Sequence, residues 1–218
     1  MENKDKLPEC RLYLISPQEI NDVEGFSLKL IAALQGGDVA SFQLRLKDTS
    51  DEHIMEVAKE LMPICHTMDV AFILNDRADL AAELKADGVH LGQDDGSIED
   101  ARELVGRDAV IGVTCHNSRH LGFQAGDQGA DYVGFGAFFP SETKEALRIA
   151  EPDILTWWAE LTELPCVAIG GITVENCSPI IEAGADFIAV SSAVWNNANG
   201  PKEAVAQFNE KIKLGSKS

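Results

Sequence analysis

Along the chain, short runs that are almost wholly apolar alternate with longer segments whose apolar residues recur every three or four positions. The short runs read "RLYLI" (11–15), "VASFQLR" (39–45), "VAFILN" (70–75), "GVHLG" (88–92), "AVIGVT" (109–114), "YVGFG" (132–136), "CVAIGG" (166–171) and "FIAVSS" (187–192). Continuous apolar runs rich in Val, Ile and Phe predict parallel strands buried on both faces. The longer segments predict helices. "SLKLIAALQGG" closes on glycines, and "SDEHIMEVAKELMPICHTM" opens with Ser50 as N-cap over early acidic residues. Pro152 opens "EPDILTWWAEL", where the first helical turn tolerates proline.

Evenly repeated strand–helix units predict an α/β protein, a single (β/α)8 TIM barrel spanning 1–218, with 1–9 and 214–218 expected to be flexible. An open dinucleotide-binding sheet is disfavoured because no glycine-rich turn follows the first strand. The composition agrees with one medium domain: 218 residues, 45% hydrophobic and 25% charged. Charge narrows the partners. Asp and Glu number 36 against 18 Lys and Arg, so no general basic face is expected for nucleic acid or an anionic membrane. A small anionic substrate met by a few local cations remains compatible. Cys10, Cys65, Cys115, Cys166 and Cys177 form no C-x-x-C pair, which suggests a reduced, cytoplasmic chain. No signal-peptide pattern or membrane-length apolar run is visible, and association into a homo-oligomer is left open.

A barrel of this kind places its active site at the C-terminal ends of the strands. Strand 2 exits through Gln43, Arg45 and Lys47, spaced two apart and so on one side while extended. Strand 3 ends in Asn75-Asp76-Arg77, strand 4 in Gln93-Asp94-Asp95 and strand 5 in Thr114-Cys115-His116-Asn117. Strand 6 runs into "FFPSETKEA", with Ser141, Thr143 and Lys144, while strands 7 and 8 end in Gly170-Gly171 and Ser191-Ser192.

Each feature has an ordinary explanation. The triplet can be a polar strand exit, and Asp76 can cap the next helix. His90 reads as a packed core histidine, His116 divides evenly between site and surface, and Trp157-Trp158 mark a helix packed on the barrel. The combination says more. Glycines after strand 7 and serines after strand 8 match the barrel's frequent phosphate site, built with a short extra helix. Gly171 would allow close backbone approach to a phosphate. Arg45, Lys47 and Lys144 could engage further anionic oxygens. A carboxylate at Asp76 and one at Asp94 or Asp95 could share a Mg²⁺ with substrate phosphate oxygens. This describes a pocket for two phosphorylated pieces, with a metal at one of them.

The stretches "RLYLIS", "FQLRLKD", "NDRADLA…ADGVHLGQDD", "IGVTCHN", "GADYVGFGAFFPSETK", "VAIGGIT" and "AGADFIAVSSAV" carry a resemblance. In them the chain resembles the thiamine phosphate synthase family over nearly its whole length. That family joins hydroxymethylpyrimidine diphosphate to hydroxyethylthiazole phosphate and releases pyrophosphate. The resemblance implies that Gln43, Arg45, Lys47 and Asn75 hold the pyrimidine diphosphate and that Asp76 and Asp95 bind Mg²⁺. It implies that Thr114 lies near the pyrimidine and that Lys144 touches the diphosphate. Arg45, Lys47, Lys144 and Thr114 then carry the catalysis, while Ser141, Thr143, Gly171, Ser191 and Ser192 surround the thiazole phosphate.

The chain departs from the family pattern at Ala137, where proline is usual, at Ser141, where threonine is usual, and in "EALRIA". These differences bear on thiazole phosphate binding and loop closure rather than on reaction type. Two other readings share the barrel. A thiazole tautomerase would use a histidine such as His116 for acid–base work without metal carboxylates. A catalytically silent barrel would bind a phosphorylated ligand and turn nothing over.

Overall fold

The structure, a computed structural model, describes residues 10–140 and 149–215. Strands β1 (Arg11–Ile15), β2 (Ser41–Leu44), β3 (Ala71–Asn75), β4 (Gly88–Leu91), β5 (Val110–His116), β6 (Tyr132–Gly136), β7 (Cys166–Ile169) and β8 (Phe187–Val190) pair in chain order and close. All neighbours are parallel, including β8 with β1, whose register sets Tyr13 beside Ala189. The helices between them are α1 (Val23–Leu34), α2 (Asp51–Thr67), α3 (Ala78–Leu84), α4 (Ile98–Val105), α5 (Arg119–Asp127), α6 (Asp153–Leu161), α7 (Ser178–Glu182), α8 (Ser192–Trp195) and α9 (Pro201–Gly215). This is the expected (β/α)8 barrel, with α8 as the short extra helix after β8. No described helix is long and apolar enough to cross a membrane.

Alternation along each strand divides the core. Leu12, Leu14, Phe42, Leu44, Phe72 and Leu74 point outward and pack against the helices. Their neighbours Tyr13 and Ile15, with Tyr132, Val167 and Ala189, form a separate cluster inside the barrel. Period-two geometry produces the split, because successive side chains leave opposite faces of a strand.

Two helix boundaries differ from expectation. Helix α1 begins at Val23, upstream of the expected Ser27, because the Asp22 carboxylate accepts the Gly25 N–H at 2.9 Å and nucleates an earlier turn. Ser50 caps α2 as expected, accepting from the His53 N–H. Leu214 and Gly215, expected to fray, belong to α9.

At the N-terminal end of the barrel, Asp87, Asp131 and Asp186 precede β4, β6 and β8. Each carboxylate accepts an N–H from the preceding strand: Phe72 at 2.7 Å, Ile111 at 2.7 Å and Cys166 at 2.8 Å. The seam between the chain's two ends is tied separately. Asn209 of α9 accepts from the Asp38 N–H and donates to the Asp38 carbonyl, and Trp195 Nε1 donates to the Ile15 carbonyl at 2.6 Å. Asn209 packs so closely over Gly37 that a Cβ there would lie 2.7 Å from its amide nitrogen.

Candidate active site

The strand exits bring the polar candidates of β2, β3, β4 and β5 to one end of the barrel. Gln43 points inward from β2 and is 2% exposed. Its Nε2 donates to Asn75 Oδ1 at 2.6 Å, so these two predicted residues act as one unit. Strand β2 ends at Leu44, and the triplet therefore does not lie wholly on one extended strand. The Arg45 N–H donates to Ser16 Oγ, and the Lys47 N–H to the Gln18 carbonyl. Lys47 Nζ then reaches Asp76 Oδ2 at 2.8 Å. Arg45 makes no side-chain hydrogen bond or ion pair among the described residues, which leaves a half-buried guanidinium able to receive an anion.

Asp76 is not a helix cap. Arg77 occupies the N-cap position of α3, makes no side-chain capping bond and turns outward to Asp51 and Asp79. Asp76 adopts φ 66, a left-handed conformation that Asp tolerates, and its N–H donates to the His90 carbonyl. Neither Asp94 nor Asp95 caps α4, since Ser97 does. Asp95 instead folds back to accept the Gly92 N–H at 2.9 Å. A Cβ at Gly92 would sit 2.5 Å from that carboxylate, so any larger residue there would displace the Asp95 side chain.

Partial burial, and then the facing Asp76 carboxylate, hold the Asp95 carboxyl above its ordinary range. Two opposed carboxylates beside Lys47 suit a divalent cation. Among the described residues no three His, Cys, Asp or Glu side chains converge. A pair of carboxylates is the kind of donor set Mg²⁺ takes, with water and substrate oxygens completing its shell.

Inside the barrel the structure shows residues that the sequence left as packing. The chain's two tyrosines, Tyr13 and Tyr132, are both buried there, with their hydroxyls 2.9 Å apart. Tyr13 also reaches Gln43 Oε1 at 3.3 Å, and Tyr132 reaches His90 Nδ1 at 2.9 Å. The other ring nitrogen of His90, Nε2, lies 2.8 Å from Thr114 Oγ1. Burial pushes the His90 imidazole down to about 4, so the ring is neutral in ordinary buffers. His90 is thus packed, as expected, and it also touches a predicted site residue. The available signal was a tyrosine in each of two apolar strands, since a buried phenol requires a hydrogen-bond partner. Gly112 makes room for Tyr132, because a Cβ there would lie 1.9 Å from the ring.

The opposite rim is built from backbone. Gly170 and Gly171 leave β7 with φ 103 and 61. A Cβ on Gly171 would meet the Pro140 carbonyl at 2.4 Å and that of Phe139 at 2.7 Å. The glycine is therefore required by the β6 exit packed on it, independently of any phosphate. Ser191 sits at the N-cap of α8 and its Oγ donates to the Ser16 carbonyl, while Ser192 is exposed as the helix's first residue. Ser141, Thr143 and Lys144 lie outside the described residues. His116 is exposed at the end of β5 with φ 52 and has no side-chain partner among the described residues. All five cysteines are free and buried, and burial pushes the Cys65, Cys115 and Cys166 thiols up to about 12, in keeping with packing.

A family model described as thiamine monophosphate synthase matches residues 12–194. The chain belongs to that family. It is 58% identical over 203 residues to a thiamine-phosphate synthase of Rhodospirillum centenum, covering 93% of this chain and 98% of the relative. It is 53% identical over 206 residues to a thiamine-phosphate synthase of Erythrobacter litoralis, covering 93% and 95%. Among solved structures, thiamine phosphate pyrophosphorylase from Pyrococcus furiosus superposes with a TM-score of 0.83 at 30% identity, covering 95% of this chain and 97% of that one. Family membership and the closed barrel thus agree with the expectation drawn from the strand-exit motifs.

Proposed function

We propose that this member of the family condenses 4-amino-5-hydroxymethyl-2-methylpyrimidine diphosphate with 4-methyl-5-(2-hydroxyethyl)thiazole phosphate, giving thiamine phosphate and pyrophosphate. One observation carries the reading beyond family membership: Asp76 and Asp95 face each other beside Lys47. That cluster suits a diphosphate leaving group.

The reaction breaks the C–O bond to diphosphate, and the electron pair leaves with the oxygen. A pyrimidinylmethyl cation remains, stabilised by its electron-rich ring. Arg45, Lys47 and Lys144 neutralise charge on the departing group, where preorganised cations contribute most. Asp76 and Asp95 would hold a Mg²⁺, which would supply further positive charge to the leaving group. Gln43, Asn75 and Thr114 orient the ring. Ser141, Thr143, Gly171, Ser191 and Ser192 hold the thiazole phosphate so that the ring nitrogen's lone pair forms the new C–N bond. No protein nucleophile is required.

The test is incubation of the purified protein with both substrates and Mg²⁺, measuring thiamine phosphate and pyrophosphate. Turnover that a chelator removes supports the reading. Thiazole aromatisation dependent on His116, without condensation, would replace it with the tautomerase. Ligand binding with no turnover would replace it with the silent barrel.

A further inference from the structure

The hydroxyls, amides and imidazole inside the barrel form one continuous chain, and its hydrogens can be counted. Gln43 Nε2 donates to Asn75 Oδ1, so Gln43 Oε1 faces Tyr13 and can only accept. Tyr13 therefore spends its single hydrogen on Gln43. The Tyr13–Tyr132 contact must then be donated by Tyr132. Tyr132 has no hydrogen left for His90, so His90 Nδ1 carries the proton and donates to Tyr132. An imidazole buried among hydroxyls, with no carboxylate on either nitrogen, stays neutral. Its Nε2 is bare and takes the Thr114 hydroxyl proton.

The outcome is five hydrogen bonds all running one way, from Thr114 through His90, Tyr132, Tyr13 and Gln43 to Asn75. Its two ends are half-buried at the strand exits and differ in character. Thr114 Oγ1 has given its proton away and offers lone pairs only. Asn75 Oδ1 accepts from Gln43, and its NH₂ group is held facing away from that bond as a donor.

We propose that this one-way relay, set by Tyr13, Tyr132 and His90, selects the pyrimidine by its hydrogen-bonding edge. An amino group beside a ring nitrogen presents a donor next to an acceptor, the complement of Thr114 and Asn75. A 4-oxo pyrimidine presents the reverse and is rejected. Tyr132 and His90 are positioning residues that act through Thr114. The inference rests on the pyrimidine half of the proposed reaction.

Two measurements test it. In ¹⁵N-histidine-labelled protein, the resonance lost in His90→Gln is expected to show a protonated Nδ1 and a bare Nε2. A protonated Nε2 would overturn the relay's direction. Separately, turnover of the 4-amino pyrimidine diphosphate is compared with that of its 4-oxo analogue. Tyr132→Phe and Thr114→Val are expected to shrink the amino preference at least tenfold, and Thr114→Ser to restore it. Equal loss on both substrates, with the preference intact, would reduce the relay to structural packing and overturn the proposal. A wild type inert to both pyrimidines would defeat the proposed reaction and with it the selectivity role, while the tautomer measurement would still decide the relay itself.

Discussion

The two faces of one sheet follow different chemical rules. The outer face carries Leu12, Leu14, Phe42, Phe72 and Val89, each 0% exposed and packed on helices. The inner face, one residue along, carries Tyr13, Gln43, His90 and Tyr132, whose polar atoms are joined to one another. An outward leucine can be exchanged for another apolar side chain of like volume at modest cost. An inward hydroxyl cannot, because removing one partner leaves another buried and unsatisfied. Under the proposed function, the apolar outer face carries packing and the polar inner face and rim carry recognition.

Substitutions can break or sharpen that division. The largest effect is expected from Phe42→Ala, which should cost about 3–5 kcal/mol of folding stability in a denaturant titration. Under folding conditions its KM for both substrates should stay unchanged; a KM shift as large as the stability loss would dissolve the distinction. Asp76→Asn, which keeps a side chain suited to the left-handed backbone there, should do the converse, lowering kcat by about 10²–10³ while moving stability by no more than about 0.5 kcal/mol. Gly112→Ala should strike both properties at once. Its Cβ would displace the Tyr132 ring, costing about 1–3 kcal/mol and lowering turnover by disturbing Thr114.

The smallest effect concerns Asp95. Its carboxyl is held above the ordinary range, so the folded state favours the protonated form. That contribution is fully present below the unfolded pKa and is lost as pH rises through the folded value. The facing of two carboxylates is a repulsion that Asp95→Asn relieves. Asp95→Asn should raise the metal-free Tm by about 1–2 °C and remove the further rise that Mg²⁺ gives the wild type. An identical Mg²⁺ response in both proteins would exclude Asp95 from the metal site.

The barrel was legible because its signal is regional: eight dense apolar runs at even spacing tolerate an error of a residue or two at each end. The rim was legible in part. Gln43, Asn75, Asp76 and Thr114 stand where the strand exits predicted, and Asp95 proved to be neither helix cap nor free loop residue. The interior was not legible, because "RLYLI" and "YVGFG" look the same whether the tyrosine meets lipid-like packing or another hydroxyl. Nothing local says that residues 13 and 132, far apart in sequence, share a hydrogen bond. Gly171 shows the limit in the other direction, since its glycine follows from the β6 exit pressed against it rather than from a ligand.

The seam at β1 and β8 also governs how the chain comes off the ribosome. Until β8 is made and α9 lays Asn209 over Gly37, the nascent sheet has two open edges that could recruit another chain. The excess of 18 negative charges repels such neighbours during that interval. Completion is therefore decided at the last strand and helix, and a nascent chain stopped short of β8 keeps most of the predicted diphosphate cluster on an unclosed sheet.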